Sequence, residues 1–131
     1  MIIKSHVVNV DYPFYYRFES EQFTFYRIPK LLVTDERFHS ISTDAKLLYG
    51  LMLDRMSLSI KNGWTDDLGR VYIYFPIEEV MELLHCKSEK ATRLMAELDS
   101  KKGIGLIERV RQGQGKPSII YVKNFVGRSP P

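Results

Sequence analysis

The stretch PIEEVMELLHCKSEKATRLMAELDSKK, residues 76–102, decides the fold. Its apolar residues recur twice at helical spacing, and the two runs are separated by a break at His85-Cys86. Pro76 suits the first position of a helix, and Glu78 and Glu79 complement the positive end of that helix's dipole. Beyond the break, Ser88 is placed to cap a second helix, in which Ala91, Leu94, Met95 and Leu98 form one apolar stripe. Gly103 and Gly105 end it. Two helices joined by so short a break read as a helix-turn-helix pair.

Towards the C-terminus, residues 106–111 and 118–123 read as the strands of a β-hairpin around the loop QGQGKP. Period-two alternation puts Ile107, Arg109 and Arg111 on one face and Leu106, Glu108 and Val110 on the other. Towards the N-terminus, the turn Asp66-Asp67-Leu68-Gly69 leads into an expected strand over residues 70–75. A long helix over about residues 44–58 comes before it, with Ser42, Thr43 and Asp44 as candidate caps and Ala45, Leu48, Tyr49, Met52 and Met56 at helical spacing. That helix is apolar on several sides, as expected of a central, buried one. KLLVTDERF, residues 30–38, suggests a short helical turn. YPFYYRFESEQFTFYRIP, residues 12–29, is aromatic-rich and predicts one or two strands. The element order predicts an α+β winged helix-turn-helix with an N-terminal aromatic β arm. We divide the chain into an arm (1–28), the winged helix-turn-helix (29–126) and a linker start (127–131).

At 131 residues the chain fits one domain. No apolar run approaches the roughly 20 residues that span a bilayer. The N-terminus lacks the apolar core of a secretory signal, and the single cysteine, Cys86, excludes an internal disulfide. A reducing cytoplasm is the expected compartment, with no membrane partner. Charge is divided unevenly along the chain. Residues 1–86 carry nine Lys and Arg against twelve Asp and Glu, a net of −3, whereas residues 87–131 carry ten against four, a net of +6. Eight of the aromatic residues fall within positions 12–26. Most of these rings are expected to pack on the long helix, and some to be shared with a second subunit.

In a helix-turn-helix the second helix presents its N-terminal, outward residues to the major groove. The apolar stripe leaves Lys87, Ser88, Glu89, Lys90, Thr92, Arg93, Glu97 and Lys101 outward, and Arg93 can pair in bidentate fashion with a guanine edge. Arg109 and Arg111 lead to the hairpin tip and Lys116 leaves it. Gly113 and Gly115 permit close approach of the backbone to a phosphate. Separately, a solvated helix face or a glycine-rich hairpin tip would explain each feature. Together they predict one basic surface for duplex DNA.

Enzymatic and cofactor readings find little support. His6, His39 and His85 are scattered, and His85-Cys86 has no companion pair at metal-ligand spacing. Asp66-Asp67 and Glu78-Glu79 suit a turn and a helix start. No Gly-rich phosphate loop ending in Lys-Ser/Thr occurs. We therefore expect no catalytic residues, no metal and no cofactor. A transcriptional regulator, or a winged helix used only for protein interaction, are the competing readings.

DAKLLYGLMLDRMSLSIKNGW (44–64) and GLIERVRQGQGKPSIIYVKNF (105–125), with FTFYRIPKLLV (23–33) and the helix-turn-helix between, resemble the N-terminal domain of the RepA-N family of plasmid replication initiators. The similarity runs over about residues 22–125. It implies a winged helix that binds repeated sites in double-stranded origin DNA as a homodimer or higher assembly. It places the recognition-helix role on Ser88, Lys90, Thr92 and Arg93, and the wing role on Arg109, Arg111, Gln114 and Lys116. It also implies that GRSPP starts a linker to a C-terminal domain, absent here, through which host replication proteins are recruited.

Overall fold

The computed structural model describes residues 11–16 and 24–126. In chain order the elements are α1 (Leu31–Thr34), a 3-10 turn (Glu36–Phe38), α2 (Thr43–Lys61), α3 (Ile77–Leu84), α4 (Ser88–Leu98), β1 (Ile107–Val110) and β2 (Ile119–Val122). β1 and β2 pair antiparallel, with Ile107 opposite Val122 and Val110 opposite Ile119. This is a winged helix: α3 and α4 form the helix pair, α2 supports them, and the hairpin is the wing.

Helix α2 starts where the Ser42 hydroxyl accepts a hydrogen bond from the Ala45 amide at 3.1 Å, so Ser42 is the cap among the three candidates. It ends at Asn62, with Gly63 in the left-handed region at φ 73°. Its Ala45, Leu48, Tyr49, Leu51 and Met52 are buried with Val80 of α3, Ala91, Leu94, Met95 and Leu98 of α4, and Ile107 and Ile120 of the hairpin. The buried Tyr49 hydroxyl donates to the Lys123 carbonyl at 2.6 Å, and burial pushes its pKa up to about 12. Phe125 then packs on Phe38 and Tyr49, with ring centroids 4.9 and 5.8 Å away. The end of the wing is thereby anchored to the supporting helix.

Three expectations need correction. Residues 70–75 form no continuous strand. Val71 bridges to Thr65 and Ile73 to Ile120, the latter through two 2.9 Å backbone hydrogen bonds, while the Tyr72 amide donates to Trp64. The segment changes partner from residue to residue, and Pro76, without an amide hydrogen, closes it. Its alternation is nevertheless real, because Ile73 and Phe75 are buried and Tyr72 and Tyr74 are half-buried on the other side.

Secondly, Ser88 does not cap α4. Lys87 takes the extended cap conformation, φ −91° and ψ 172°, and Ser88 is the first helical residue. The turn is closed instead by His85 in the left-handed region, φ 52°, with the Cys86 amide donating to the Met81 carbonyl at 3.1 Å. Likewise Pro76 is the cap of α3 and Ile77 its first residue.

Thirdly, the described parts of the arm, residues 11–16 and 24–29, contain no strand. Tyr12, Phe14, Tyr15, Tyr16, Phe25 and Tyr26 are between 53% and 82% exposed, so these rings do not pack inward. The chain crosses α2 with an aliphatic side chain instead: a Cβ on buried Gly50 would overlap Ile28 Cδ1 and lie 3.0 Å from the Arg27 carbonyl oxygen. The rest of the arm and the expected linker lie outside the described residues.

Candidate nucleic-acid interface

Helix α4 turns its buried stripe to α2 and α3, which leaves Glu89, Thr92, Arg93 and Ala96 on the opposite side at about 100° per residue. Lys87, Ser88, Lys90, Thr92 and Arg93 are all exposed. They differ in engagement. Lys90 Nζ lies 2.6 Å from Asp44 in the first turn of α2. Glu97 accepts hydrogen bonds from the Ser42 amide at 2.7 Å and its hydroxyl at 2.9 Å. Lys90 and Glu97 therefore mark the flank of α4 that is tied to α2. Lys87 and Arg93 form no ion pair among the described residues.

The other flank of α4 faces the wing across an open cleft of about 690 Å³ lined by Thr92, Ala96, Lys101, Lys102, Arg109 and Arg111. Asp99 sits at its floor with its side chain 7% exposed, accepting from Arg109 Nε at 3.2 Å. Burial alone would raise the Asp99 pKa. The Arg109 guanidinium and the Lys101 and Ser100 amides outweigh it and hold the carboxyl below the usual range. Arg109 thus points inward, on the face of the hairpin shared with buried Ile107 and Ile120. Arg111 is exposed at the wing's edge.

At the tip, Gly113 (φ 122°) and Gly115 (φ 78°) hold conformations that suit glycine, and the Lys116 amide donates to the Gly113 carbonyl at 3.2 Å. Gln112 Nε2 donates to the Pro117 carbonyl at 2.7 Å and closes the base of the loop. Arg111, Gln114 and Lys116 surround this tip, all exposed. Of the expected wing residues, Arg111, Gln114 and Lys116 thus meet at the tip, and Arg109 lies with Arg111 along the cleft.

A second anchor holds the wing's outer face. Tyr121 donates to Asp66 Oδ2 at 2.9 Å, and Arg70 reaches the same oxygen at 2.7 Å while stacking 4.7 Å above the Tyr121 ring. Partial burial alone would raise the Asp66 pKa. Hydrogen bonds from the Arg70 amide and guanidinium, the Tyr121 hydroxyl and the Leu68 amide outweigh that and lower it to about 2. Tyr72 stands edge-on to Tyr121, and Tyr74 edge-on to Tyr72 and Trp64.

Lys101, Lys102 and Ser118 also line the cleft, although the helical and hairpin patterns give none of them a site role. The run SKK immediately after the helix was the available signal, since a chain leaving α4 must pass the wing. Among the described residues no group of His, Cys, Asp and Glu could hold a metal ion, and no helix is long and apolar enough to cross a membrane.

Comparison with known proteins gives consistent relatives. Residues 24–129 match the family model described as replication initiator protein A (RepA) N-terminus. A 41 kDa protein of Lactobacillus helveticus is 36% identical over 89 residues, covering 68% of this chain, and the matched region spans about a quarter, 24%, of that protein. Among solved structures, one described as a Rep-DNA complex is similar with a TM-score of 0.68 at 37% identity, over 81% of this chain and 79% of the other. The N-terminal domain of a DNA-binding protein is similar with a TM-score of 0.67 at 36% identity, over 81% and 85%. An MDR initiator is similar with a TM-score of 0.63 at 30% identity, over 77% of each chain.

Proposed function

The chain belongs to the family of replication initiator protein A (RepA) N-termini, and we propose that it is the sequence-specific duplex-DNA-binding domain of a plasmid replication initiator, acting on repeated sites in the origin. The observation that carries this reading is the shared cleft, which sets the outward face of α4 beside the basic edge of the wing. A similar protein is described in complex with DNA, which supports the same reading. Ser88, Thr92 and Arg93 take the base-edge role in the major groove. Lys87, Lys101, Lys102, Arg111, Gln114 and Lys116 take phosphate roles, which carry salt-sensitive affinity and fix register. Lys90 is shared between Asp44 and the DNA.

The role is binding, in the cytoplasm, without catalysis or cofactor. Repeated sites call for a homodimer or higher assembly, and recruitment of host replication proteins is assigned to a separate C-terminal domain. Selection of bound sequences from a random duplex pool tests the reading. One recurring sequence is expected, and recovery of unenriched sequence at every salt concentration would overturn it.

A further inference from the structure

Period-two geometry puts Arg109 on the same face of the hairpin as Ile107, and Ile107 is fully buried. An arginine in that position reaches towards the end of α4, and the Arg109 side chain is only 31% exposed. Its Nε donates to Asp99, the residue at which α4 ends. Asp99 is a junction. Its amide donates to the Met95 carbonyl at 3.1 Å, its own carbonyl accepts from Gly103 at 2.9 Å and Gly105 at 3.2 Å, and its Oδ2 accepts from the Lys101 amide at 3.4 Å. Its backbone also bridges in parallel to Ile107 at the start of β1. One buried carboxylate therefore joins the end of the reading helix, the turn that follows it, and the wing.

We infer that Arg109 is a positioning residue: its ion pair with Asp99 sets the angle between the wing and α4, so that both reach one duplex at once. This rests on the duplex-binding reading above and changes it at one place, since a wing arginine would ordinarily be assigned to phosphate. A pair with one partner almost wholly buried resists separation, because removing either side leaves the other desolvated and unpaired. The wing's other side-chain hydrogen bonds to the rest of the fold run to α2, from the Tyr49 hydroxyl to the Lys123 carbonyl, and to the turn at Asp66, from Tyr121, so among the described residues this ion pair is the side-chain brace that reaches the end of α4 at the cleft.

The test uses Asp99→Asn, Arg109→Gln and the double variant. Affinity for a selected duplex is measured across salt concentration, and the wing-to-helix distance is measured in the free protein by spin labels on Glu89→Cys and Gln114→Cys in a Cys86→Ser background. Positioning predicts that each single variant loses about tenfold in affinity, that the double variant loses no more than the worse single one, and that the salt slope stays at the wild-type value. It also predicts a broadened distance distribution in all three variants, without DNA present. A direct phosphate contact predicts instead that Arg109→Gln alone loses affinity and that its slope falls by about 0.9. That result, or an unbroadened distribution, overturns the inference. Arg109→Lys, which keeps the charge but not the Nε donor, provides a milder variant and is expected to fall between wild type and Arg109→Gln. If the wild-type protein binds no duplex while the distributions broaden, the duplex-binding reading fails and the brace stands.

Discussion

Ser42, the cap of α2, donates both its amide and its hydroxyl hydrogen to the carboxylate of Glu97 on α4, at 2.7 and 2.9 Å. The residue that starts the supporting helix thus also fixes the flank of α4 that faces α2. Glu97→Ala removes both acceptors and leaves the part-buried Ser42 amide without its partner, at a cost of about 2 kcal/mol of stability. Denaturant titration should show a lower midpoint with an unchanged slope, and an unchanged midpoint would count against the Ser42–Glu97 link.

Gly103 lies against the last turn of α4, where a Cβ would overlap the carbonyl oxygens of Ala96 and Glu97. Those are backbone atoms and cannot rotate away. Gly103→Ala is therefore expected to destabilise by about 1–3 kcal/mol, as overpacking does. Thermal unfolding beside Gly113→Ala is a useful control, because nothing lies within 4 Å of a Cβ at Gly113 and only its φ of 122° opposes the change.

Asp66 has a carboxyl whose pKa is lowered to about 2 by Arg70, Tyr121 and Leu68. A group depressed in the folded state adds stability above its unfolded pKa, about 3.9, and loses that contribution as pH falls towards the folded value. Asp66→Asn should lower the Tm at pH 7, and the gap from wild type should close between about pH 4 and pH 2. A gap that stays constant across that window would mean the charge of Asp66 is not what holds the wing's outer face.

Arg93 and Lys116 should separate reading from anchoring. Arg93→Ala is expected to cost about 1–3 kcal/mol on the selected duplex and little on random duplex. Lys116→Ala should weaken both alike and reduce the salt slope by about 0.9. Titration of labelled duplexes with each variant measures both effects, and wild-type behaviour from both would remove these residues from the interface.

Much of this arrangement was legible in the sequence. The spacing of Ala45, Leu48, Tyr49 and Met52 located α2, and the stripe Ala91, Leu94, Met95 and Leu98 oriented α4 and exposed Arg93. Alternation placed Arg109 beside Ile107. The consequence, that a residue sharing a face with a buried isoleucine points into the fold, depended on which face the core would take, and Asp99 as its partner is a tertiary fact. Lys90 and Glu97 were read as outward for a related reason: helical spacing shows which residues leave the core stripe but not which meet a neighbouring helix. The strand expected over residues 70–75 had the correct alternation but no continuous partner. The exposed rings of the arm show where composition alone fails, since apolar residues are expected inside until the core is seen to be complete without them.

The most direct measurement is an equilibrium titration of the wild-type protein, at physiological salt, with a duplex carrying its selected sequence and with a shuffled duplex of the same composition. Specific reading by α4 predicts binding to the selected duplex tighter by about a thousandfold. Equal affinities for the two duplexes would contradict it.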